Sequence, residues 1–510
     1  MRLKKRLHRS ASRRIFSPVV LVALSAVAAA LAQGGLCSRH AAAQPTAPPA
    51  MATATATATA VPSDPLGEMV VTPGASRPLP KLGVVPSLSS DYSDVVLTSV
   101  IQRDLDLSGE FELLASADAP AWADASSAAV DTAAWKKKGA EAVVRVTAKT
   151  AGDEVSLAAQ AYLVKDGNTP VFDWKATTDA AGLRDEAHRL ADLLIGALPG
   201  QNGGFYSRMA FTSGQGSVRL AYVMDADGHD ARQVSSTSQI ALGAAFGKGS
   251  DVYWISSEDD DPYEIRTARG SVSVPVAGSV YGLAFSKDAS QIAVSIGTPD
   301  GIHVFTGGDF ASLTQASTIQ TAIEPTFSPS GKLAFSGAGS YGQRIYVGGK
   351  AISPASVFAT SPTFCNHPDG VIAIFAAGSG KATDLVRTGE QGGQLVRLTA
   401  GQGSNSSPAC SPDGRLVAFF STRTTGEGPG LYVMRVDGRR PKRVSTLLGS
   451  GLEWARKPAP AATQATPVPA DTAPAASPTT PTPAAPTPAA TGPAGRGDPP
   501  GRSYGSRGAP

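Results

Sequence analysis

A turn-and-strand motif that recurs along the second half of the chain limits what this sequence can fold into. Its clearest copy, at 411–420, reads Ser-Pro-Asp-Gly followed by an apolar run, and weaker copies lie at 285–294, 327–335 and 364–374. In each copy a strand ends near an aromatic residue, an Asp-Gly-like pair suits a hairpin turn, and an apolar strand returns. The motif therefore predicts a repeated antiparallel unit.

The spacing of the motif predicts the architecture. The residues that anchor the copies recur every 37 to 46 positions and are Phe246, Phe285, Phe327, Phe364, Cys410 and Trp454. A period of about 40–45 residues with four short strands is typical of a β-propeller blade. One full unit has strand-like segments at 360–365, 371–376, 383–388 and 395–399.

The two ends of the repeat region complement each other. Segments 207–211 and 219–225 resemble the second and third strands of a unit that lacks its first strand. The segment around Trp454 resembles a first strand with nothing after it. We therefore expect this last strand to complete the first blade and to close a ring of six blades.

The region before the repeats alternates helical and strand patterns. A first strand at 81–86 is followed by an amphipathic helix that ends at Gly109, and strands at 142–149, 155–164 and 171–176 precede a last helix that ends at Pro199. The predicted fold class is α+β, with a small N-terminal mixed α/β domain followed by a six-bladed β-propeller.

Composition shifts divide the chain into six segments. They are an export signal at 1–43, a disordered Ala/Thr/Pro spacer at 44–66, an N-terminal arm at 67–80, the α/β domain at 81–200, the propeller at 205–456 and a disordered Pro/Ala/Thr-rich tail at 457–510. The apolar core of the signal is too short to span a bilayer permanently, so we expect a soluble protein that is delivered outside the cytoplasm and does not span the membrane. Both the general and the twin-arginine export routes fit.

The charge of the chain argues against a nucleic-acid partner, and its cysteines allow two interpretations. The net charge of +3 is small, and basic residues concentrate in the export signal, so no nucleic-acid partner is expected. Only Cys365 and Cys410 remain in the mature chain. We expect two buried thiols, because the strands of neighbouring blades are expected to lie too far apart for a disulfide, which is the alternative.

No set of catalytic residues emerges. A Gly-x-Ser-x-Gly match at 501–505 lies in the tail, with no strand before it and no helix after it, so it cannot form a nucleophile elbow. A dinucleotide-like Gly pattern at 337–342 precedes a strand rather than a helix and predicts a hairpin loop. The acidic run at 257–261 is interpreted as a solvated loop rather than a Ca²⁺ site, and His188 as a packed or surface residue. We predict no catalytic residue, no cofactor and no metal.

The order of these parts resembles the TolB family, periplasmic propeller proteins of the Tol-Pal envelope system, over about residues 68–456. The most specific matches are Arg77-Pro78 ahead of 82–86, the segment 133–144 and the segment 220–228. The resemblance implies an adaptor without catalysis that contributes to outer-membrane integrity and to envelope constriction at cell division. It would bind a Pal-like peptidoglycan-associated lipoprotein on one propeller face and a TolA-like inner-membrane protein through its arm.

The resemblance also implies site residues. The TolA-binding arm would comprise Glu68, Met69, Val70, Val71 and Thr72. Its alternation suits strand addition to a partner sheet, although packing on its own domain is the alternative. The spacer in front of the arm departs from the family pattern.

Pal-facing positions are expected where each inner strand of the propeller begins. They are Gln239, Ser279, Tyr281, Glu324, Ser361 and Asn405. Glu324-Pro325-Thr326 matches the family motif, whereas the family histidine expected near Ser279 is absent. Ordinary loop polarity is the alternative for each position. A propeller-type serine hydrolase and a cell-wall scaffold that uses the tail are the competing functions.

Overall fold

The computed structural model describes residues 78–121, 129–215, 218–258, 261–340, 342–378 and 382–458. The predicted export signal and spacer, the tail from residue 459 with its Gly-x-Ser-x-Gly match, and arm residues 67–77, including Glu68 to Thr72, lie outside them. The described residues form one mixed α/β domain and six four-stranded sheets. The predicted fold class is confirmed.

The N-terminal domain is a five-stranded mixed sheet in the order β2-β1-β3-β4-β5. Its strands are β1 (Lys81–Val84), β2 (Glu112–Leu113), β3 (Ala142–Ala151), β4 (Glu154–Leu163) and β5 (Phe172–Asp179). Its helices are α1 (Tyr92–Leu107), α2 (Thr132–Lys137) and α3 (Leu183–Ala197), with 3₁₀ turns at Ser116–Asp118 and Val164–Asp166.

Local chemistry explains these elements. Asp91 caps α1 by accepting a hydrogen bond from the Ser93 N–H at 2.9 Å. Leu97 and Ile101, four positions apart, are fully buried against the sheet. On the opposite face Trp135 of α2 packs so closely on Gly83 that a Cβ there would lie 2.4 Å from the indole. Only glycine fits at that position of β1.

Each blade is a four-stranded antiparallel meander. Blade 1 consists of β29 (Ser450–Arg456), β6 (Ser207–Gln215), β7 (Val218–Asp225) and β8 (Arg232–Gln233). Blade 2 consists of β9 (Gln239–Phe246), β10 (Val252–Glu258), β11 (Glu264–Thr267) and β12 (Gly270–Val272), with a 3₁₀ turn at Lys248–Ser250. Blade 3 consists of β13 (Ser279–Phe285), β14 (Ile292–Thr298), β15 (Gly301–Gly307) and β16 (Thr314–Gln315).

The other three blades follow the same order. Blade 4 consists of β17 (Ile323–Phe327), β18 (Leu333–Gly339), β19 (Gly342–Val347) and β20 (Lys350–Ala351). Blade 5 consists of β21 (Phe358–His367), β22 (Gly370–Gly378), β23 (Thr383–Gly389) and β24 (Val396–Arg397). Blade 6 consists of β25 (Asn405–Cys410), β26 (Leu416–Ser421), β27 (Gly430–Arg435) and β28 (Lys442–Ser445). The Gly pattern at 337–342 is the β18–β19 hairpin, as predicted.

The ring closes as the sequence predicts. Strand β29 pairs antiparallel with β6, and Trp454 lies opposite Met209. The Trp454 indole N–H donates to the Ser207 hydroxyl at 2.7 Å, and both side chains are buried. The end of the repeat region therefore supplies the missing strand of its beginning.

The prediction of two free thiols is wrong. Cys365 of β21 and Cys410 of β25 form a disulfide, with their Cα atoms 5.3 Å apart. The spacing argument fails because blades radiate from the ring axis, so the inner strands are the parts of neighbouring blades that come closest. The bond joins blades 5 and 6 near the axis.

The N-terminal domain packs on the end of the propeller that carries the turns between first and second strands. Arg415, in the turn of blade 6, lies 3.4 Å from the Glu110 carboxylate and donates to the Asn202 carbonyl at 3.0 Å. Arg435 pairs with the same Glu110 at 2.8 Å. Both domains also contribute to one apolar core. The opposite end, where the inner strands begin, is here named the inner-strand start face.

Candidate partner-binding face

The inner strands share a local irregularity near the inner-strand start face. Three residues before the anchoring position, Glu324, Ser361 and Ser407 have positive φ angles of 51°, 54° and 49°. Each is followed by a proline, and the register of each strand shifts at this point, which is typical of a β-bulge. The bulge turns this residue out of the ladder and toward a neighbouring blade.

Glu324 uses this geometry to join two blades. Its carboxylate accepts hydrogen bonds from the Ser361 N–H at 2.7 Å and the Ser361 hydroxyl at 2.8 Å. A third bond comes from the Ser336 hydroxyl within its own blade, at 2.8 Å. Ser407 has the same role two blades further on, between blades 6 and 1, because its hydroxyl accepts from the Gly451 N–H at 3.2 Å. These polar side chains stabilise the ring.

Two other predicted residues are buried. Gln239 accepts a hydrogen bond from the Trp254 indole at 3.1 Å. Asn405 is fully buried and donates to Asp384 at 3.2 Å. Both side chains form hydrogen bonds inside the propeller. Replacing either residue would therefore affect a partner indirectly, by changing the shape of the inner-strand start face.

Ser279 and Tyr281 are half-buried at the start of β13. The Ser279 hydroxyl accepts from the Tyr263 N–H at 3.0 Å, which ties it to blade 2. The ring of Tyr281 packs over Gly297 and lines the mouth of the central channel. Tyr281 is the one aromatic residue among the six predicted positions.

The inner-strand start face also carries the exposed apolar surface of the propeller. Within the described residues of the propeller, the large apolar side chains that are exposed are Val218 (52%), Ile240 (38%) and Leu448 (42%). Ile240 and Leu448 lie at the starts of inner strands, and Val218 opens the third strand of blade 1, which begins at the same end. Sequence analysis missed all three, because apolar residues in strands are ordinarily buried.

A channel with a cavity of about 1780 Å³ runs between the inner strands. Near the inner-strand start face it is lined by Tyr281, Ile323 and Phe358, and near the other end by Lys287. Glu453 also lines it and accepts a hydrogen bond from the Phe246 N–H at 3.2 Å. Burial raises the pKa of Glu453 to about 8, while the bond from Phe246 acts in the opposite direction.

One buried group has the composition of a metal site. Among the described residues, His188, Asp225 and Asp227 place three potential ligand atoms within 4.8 Å of one another. Arg184 already pairs with both carboxylates, and Lys457 lies 2.7 Å from Asp225. Since both carboxylates are neutralised by protein cations, we assign no metal to this group. Of the two interpretations of His188, packed or on the surface, the structure has the packed one, because the side chain is fully buried.

The position three residues before each anchor marks the bulge in the consecutive blades 4, 5 and 6. Counting in this way aligns Glu324 and Ser361 with Ser407, which was not predicted, and not with Asn405.

Two other sequence predictions concern loops and membrane spans. In the acidic run at 257–261, Asp259 and Asp260 lie outside the described residues. No helix in the described part of the chain is long and apolar enough to cross a membrane.

Comparisons with known proteins agree with this fold. A family model described as the TolB beta propeller domain matches residues 196–450, and one described as the TolB amino-terminal domain matches residues 68–166. The chain is 29% identical over 203 residues to the Tol-Pal system protein TolB of Roseobacter denitrificans, covering 38% of this chain and 45% of that protein. It is 27% identical over 146 residues to the Tol-Pal system protein TolB of Geobacter metallireducens, covering 29% of this chain and 34% of that protein.

The curated matches are partial, whereas the structural match covers nearly the whole of the other protein and about three quarters of this chain. The chain spans less than half the length of these two curated relatives. The crystal structure of TolB from Acinetobacter baumannii superposes with a TM-score of 0.60 at 19% identity, covering 74% of this chain and 97% of that one. The two proteins share the fold.

Proposed function

Because the chain belongs to the TolB family, we propose that it is a non-catalytic adaptor of the Tol-Pal system that works in the periplasm. It binds a Pal-like peptidoglycan-associated lipoprotein at the inner-strand start face and a TolA-like inner-membrane protein through the arm. By connecting the two, it contributes to outer-membrane integrity and to constriction of the envelope at division.

The observation that carries the proposal is the asymmetry of the two propeller ends. One end is covered by the N-terminal domain, through contacts such as Arg435–Glu110. The other end presents Val218, Ile240 and Leu448, and Tyr281 lines the channel mouth at this end. Exposed apolar side chains grouped on one face of a soluble domain are typical of a protein-binding surface.

The disulfide supports the location. Disulfides persist in oxidising compartments such as the periplasm and are rare in the cytosol. The Cys365–Cys410 bond therefore agrees with the export signal predicted at 1–43.

A pull-down of the mature protein from envelope extract tests the lipoprotein partner. We expect wild type to recover a Pal-like lipoprotein. The variant Tyr281→Ala/Ile240→Ser should recover at least ten-fold less of this lipoprotein. Matched controls are Tyr92→Ala and Val171→Ser, which remove an exposed tyrosine and an exposed valine from the N-terminal domain. Glu324→Lys is unsuitable because Glu324 holds two blades together.

The arm needs a separate test. Deletion of residues 67–77 should abolish recovery of a TolA-like protein and leave lipoprotein recovery unchanged, because the arm and the propeller face act on different partners. Failure of wild type to recover either partner, with the protein folded, would overturn the adaptor function.

A further inference from the structure

An imidazole is buried in the seam between the two domains. His188 belongs to α3 of the N-terminal domain and is fully buried. Its Nδ1 lies 2.6 Å from the carboxylate of Asp104 on α1. Its Nε2 faces Asp225 at the end of β7 in blade 1, 3.8 Å away. The ring therefore stands between a carboxylate of each domain.

Asp104 requires a positive partner. It is fully buried, and within the described residues its one ion partner is His188. A buried carboxylate without a cation is costly. The cations nearby are engaged elsewhere: Arg184 with Asp225 and Asp227, and Arg103 with Asp227.

The groups that face this cluster come from every element packed around it. They are Asp104 and Arg103 of α1, Arg184 and Asp192 of α3, Asp225, Asp227 and His229 of blade 1, and Lys457 after β29. Lys457 extends the cluster by bonding both Asp185 of α3 and Asp225 of the propeller. Ion pairs thus cross the seam on both sides of the imidazole.

We propose that His188 is a buried cationic clamp, which fixes the orientation of the N-terminal domain on the propeller by bridging Asp104 and Asp225. The apolar core shared by the two domains supplies attraction without direction. The clamp adds a directional contact at its centre, and this role goes beyond partner binding.

The charge state of the ring agrees with the geometry. Burial would lower the pKa of His188, but attraction to Asp104 and the hydrogen bond with it raise that pKa to about 10. Burial would likewise raise the pKa of Asp225, but the positive charges of His188 and Lys457 hold it well below its usual range. Burial raises the pKa of the partner Asp104 to about 6, against the attraction of His188, so both groups of the pair are charged between about pH 6 and about pH 10. Because the pKa of His188 is raised above its ordinary value of 6.5, the stability that its charge contributes is lost as the pH rises through about 10.

The segment that connects the domains reports on the clamp. Asp192, one turn after His188 on α3, accepts hydrogen bonds from the Phe205 N–H at 2.7 Å and the Tyr206 N–H at 3.0 Å. These amides are protected from exchange only while α3 stays seated on blade 1. Their hydrogen exchange therefore measures how firmly the two domains are held.

Hydrogen exchange of the full mature protein tests the clamp. In His188→Gln we expect exchange in peptide 198–210 to rise at least ten-fold at neutral pH, with exchange in the blade 4 peptide 333–347 unchanged. The matched control is His303→Gln, which replaces another buried histidine remote from the seam, in blade 3. It should leave peptide 198–210 as in wild type.

Asp104→Asn separates a cationic clamp from a neutral packed histidine. An amide still accepts a bond from a neutral ring but no longer balances a charged one, so we expect at least a three-fold rise in the same peptide. Unchanged exchange in both seam variants would overturn the proposal. A rise that includes blade 4 would also overturn it, because the clamp requires each domain to keep its own core.

Discussion

The carboxylate of Glu324 bridges two blades, because both of its oxygens accept hydrogen bonds from Ser361, one from the backbone N–H and one from the hydroxyl. The family motif Glu-Pro-Thr that suggested a partner contact is thus also a structural joint. Glu324 itself has a positive φ angle and is followed by a proline. This conformation directs the carboxylate toward the neighbouring blade instead of along its own strand.

Replacing Glu324 should destabilise the propeller. We expect Glu324→Ala to lower the free energy of unfolding by roughly 2–3 kcal/mol, because three hydrogen bonds to a carboxylate are lost. Glu324→Gln keeps an acceptor and should lose less. Urea unfolding measures both, with exposed Glu154→Ala as the control. If Glu324→Ala and Glu154→Ala were equally stable, the interblade joint would be refuted.

The disulfide should contribute more than any single hydrogen bond. It closes a loop with a sequence separation of 45 residues, for which the loss of chain entropy predicts about 4 kcal/mol. Cys365→Ser/Cys410→Ser should therefore lower the free energy of unfolding by roughly 2–4 kcal/mol, measured with urea. Titration of the native mature wild type should find no free thiol. Two titratable thiols would contradict the pairing.

Glu453 should make stability depend on pH. Its pKa in the fold is raised to about 8 from an ordinary 4.5, so the folded state retains a proton that the unfolded chain releases. Its contribution is complete below about pH 4.5 and is lost as the pH rises through about 8. Glu453→Gln should therefore gain in melting temperature over wild type as the pH is raised from about 5 to about 9. A difference that is independent of pH would contradict the raised pKa.

Trp454 should hold the ring closed. Trp454→Ala removes a buried indole and should cost about 3–5 kcal/mol, and it should also increase hydrogen exchange in β6, the partner of β29. The matched control Trp254→Ala removes a similarly buried indole in blade 2. This control should destabilise the protein without a selective increase in hydrogen exchange of β6. Equal exchange in β6 for both variants would argue against closure through β29.

Repetition made the propeller predictable from sequence. The anchors from Phe246 to Trp454 mark the blades, and the unmatched strands at both ends predict the closure that β29 and β6 form. The disulfide was not predictable in the same way, because the distance between Cys365 and Cys410 depends on how blades converge at the axis. Periodicity along the chain carries no information on that distance.

The candidate site was predicted less well than the fold. Family motifs led to the starts of the inner strands, but a one- or two-residue shift decides whether a side chain lines the channel mouth, as Tyr281 does, or is buried, as Asn405 is. The pairing of His188 with Asp104 joins two helices that are 84 residues apart. No local pattern signals such a contact.

Site-specific photocrosslinking in cells tests the proposed partner face most directly. Ile240 and Leu448 are replaced one at a time by p-benzoylphenylalanine, with exposed Lys287, in a turn at the opposite end of the propeller, as the control position. We expect crosslinks to a peptidoglycan-associated lipoprotein from Ile240 and Leu448 and none from Lys287. Crosslinks from Lys287 alone, or none from either apolar position in a folded protein, would contradict lipoprotein binding at the inner-strand start face.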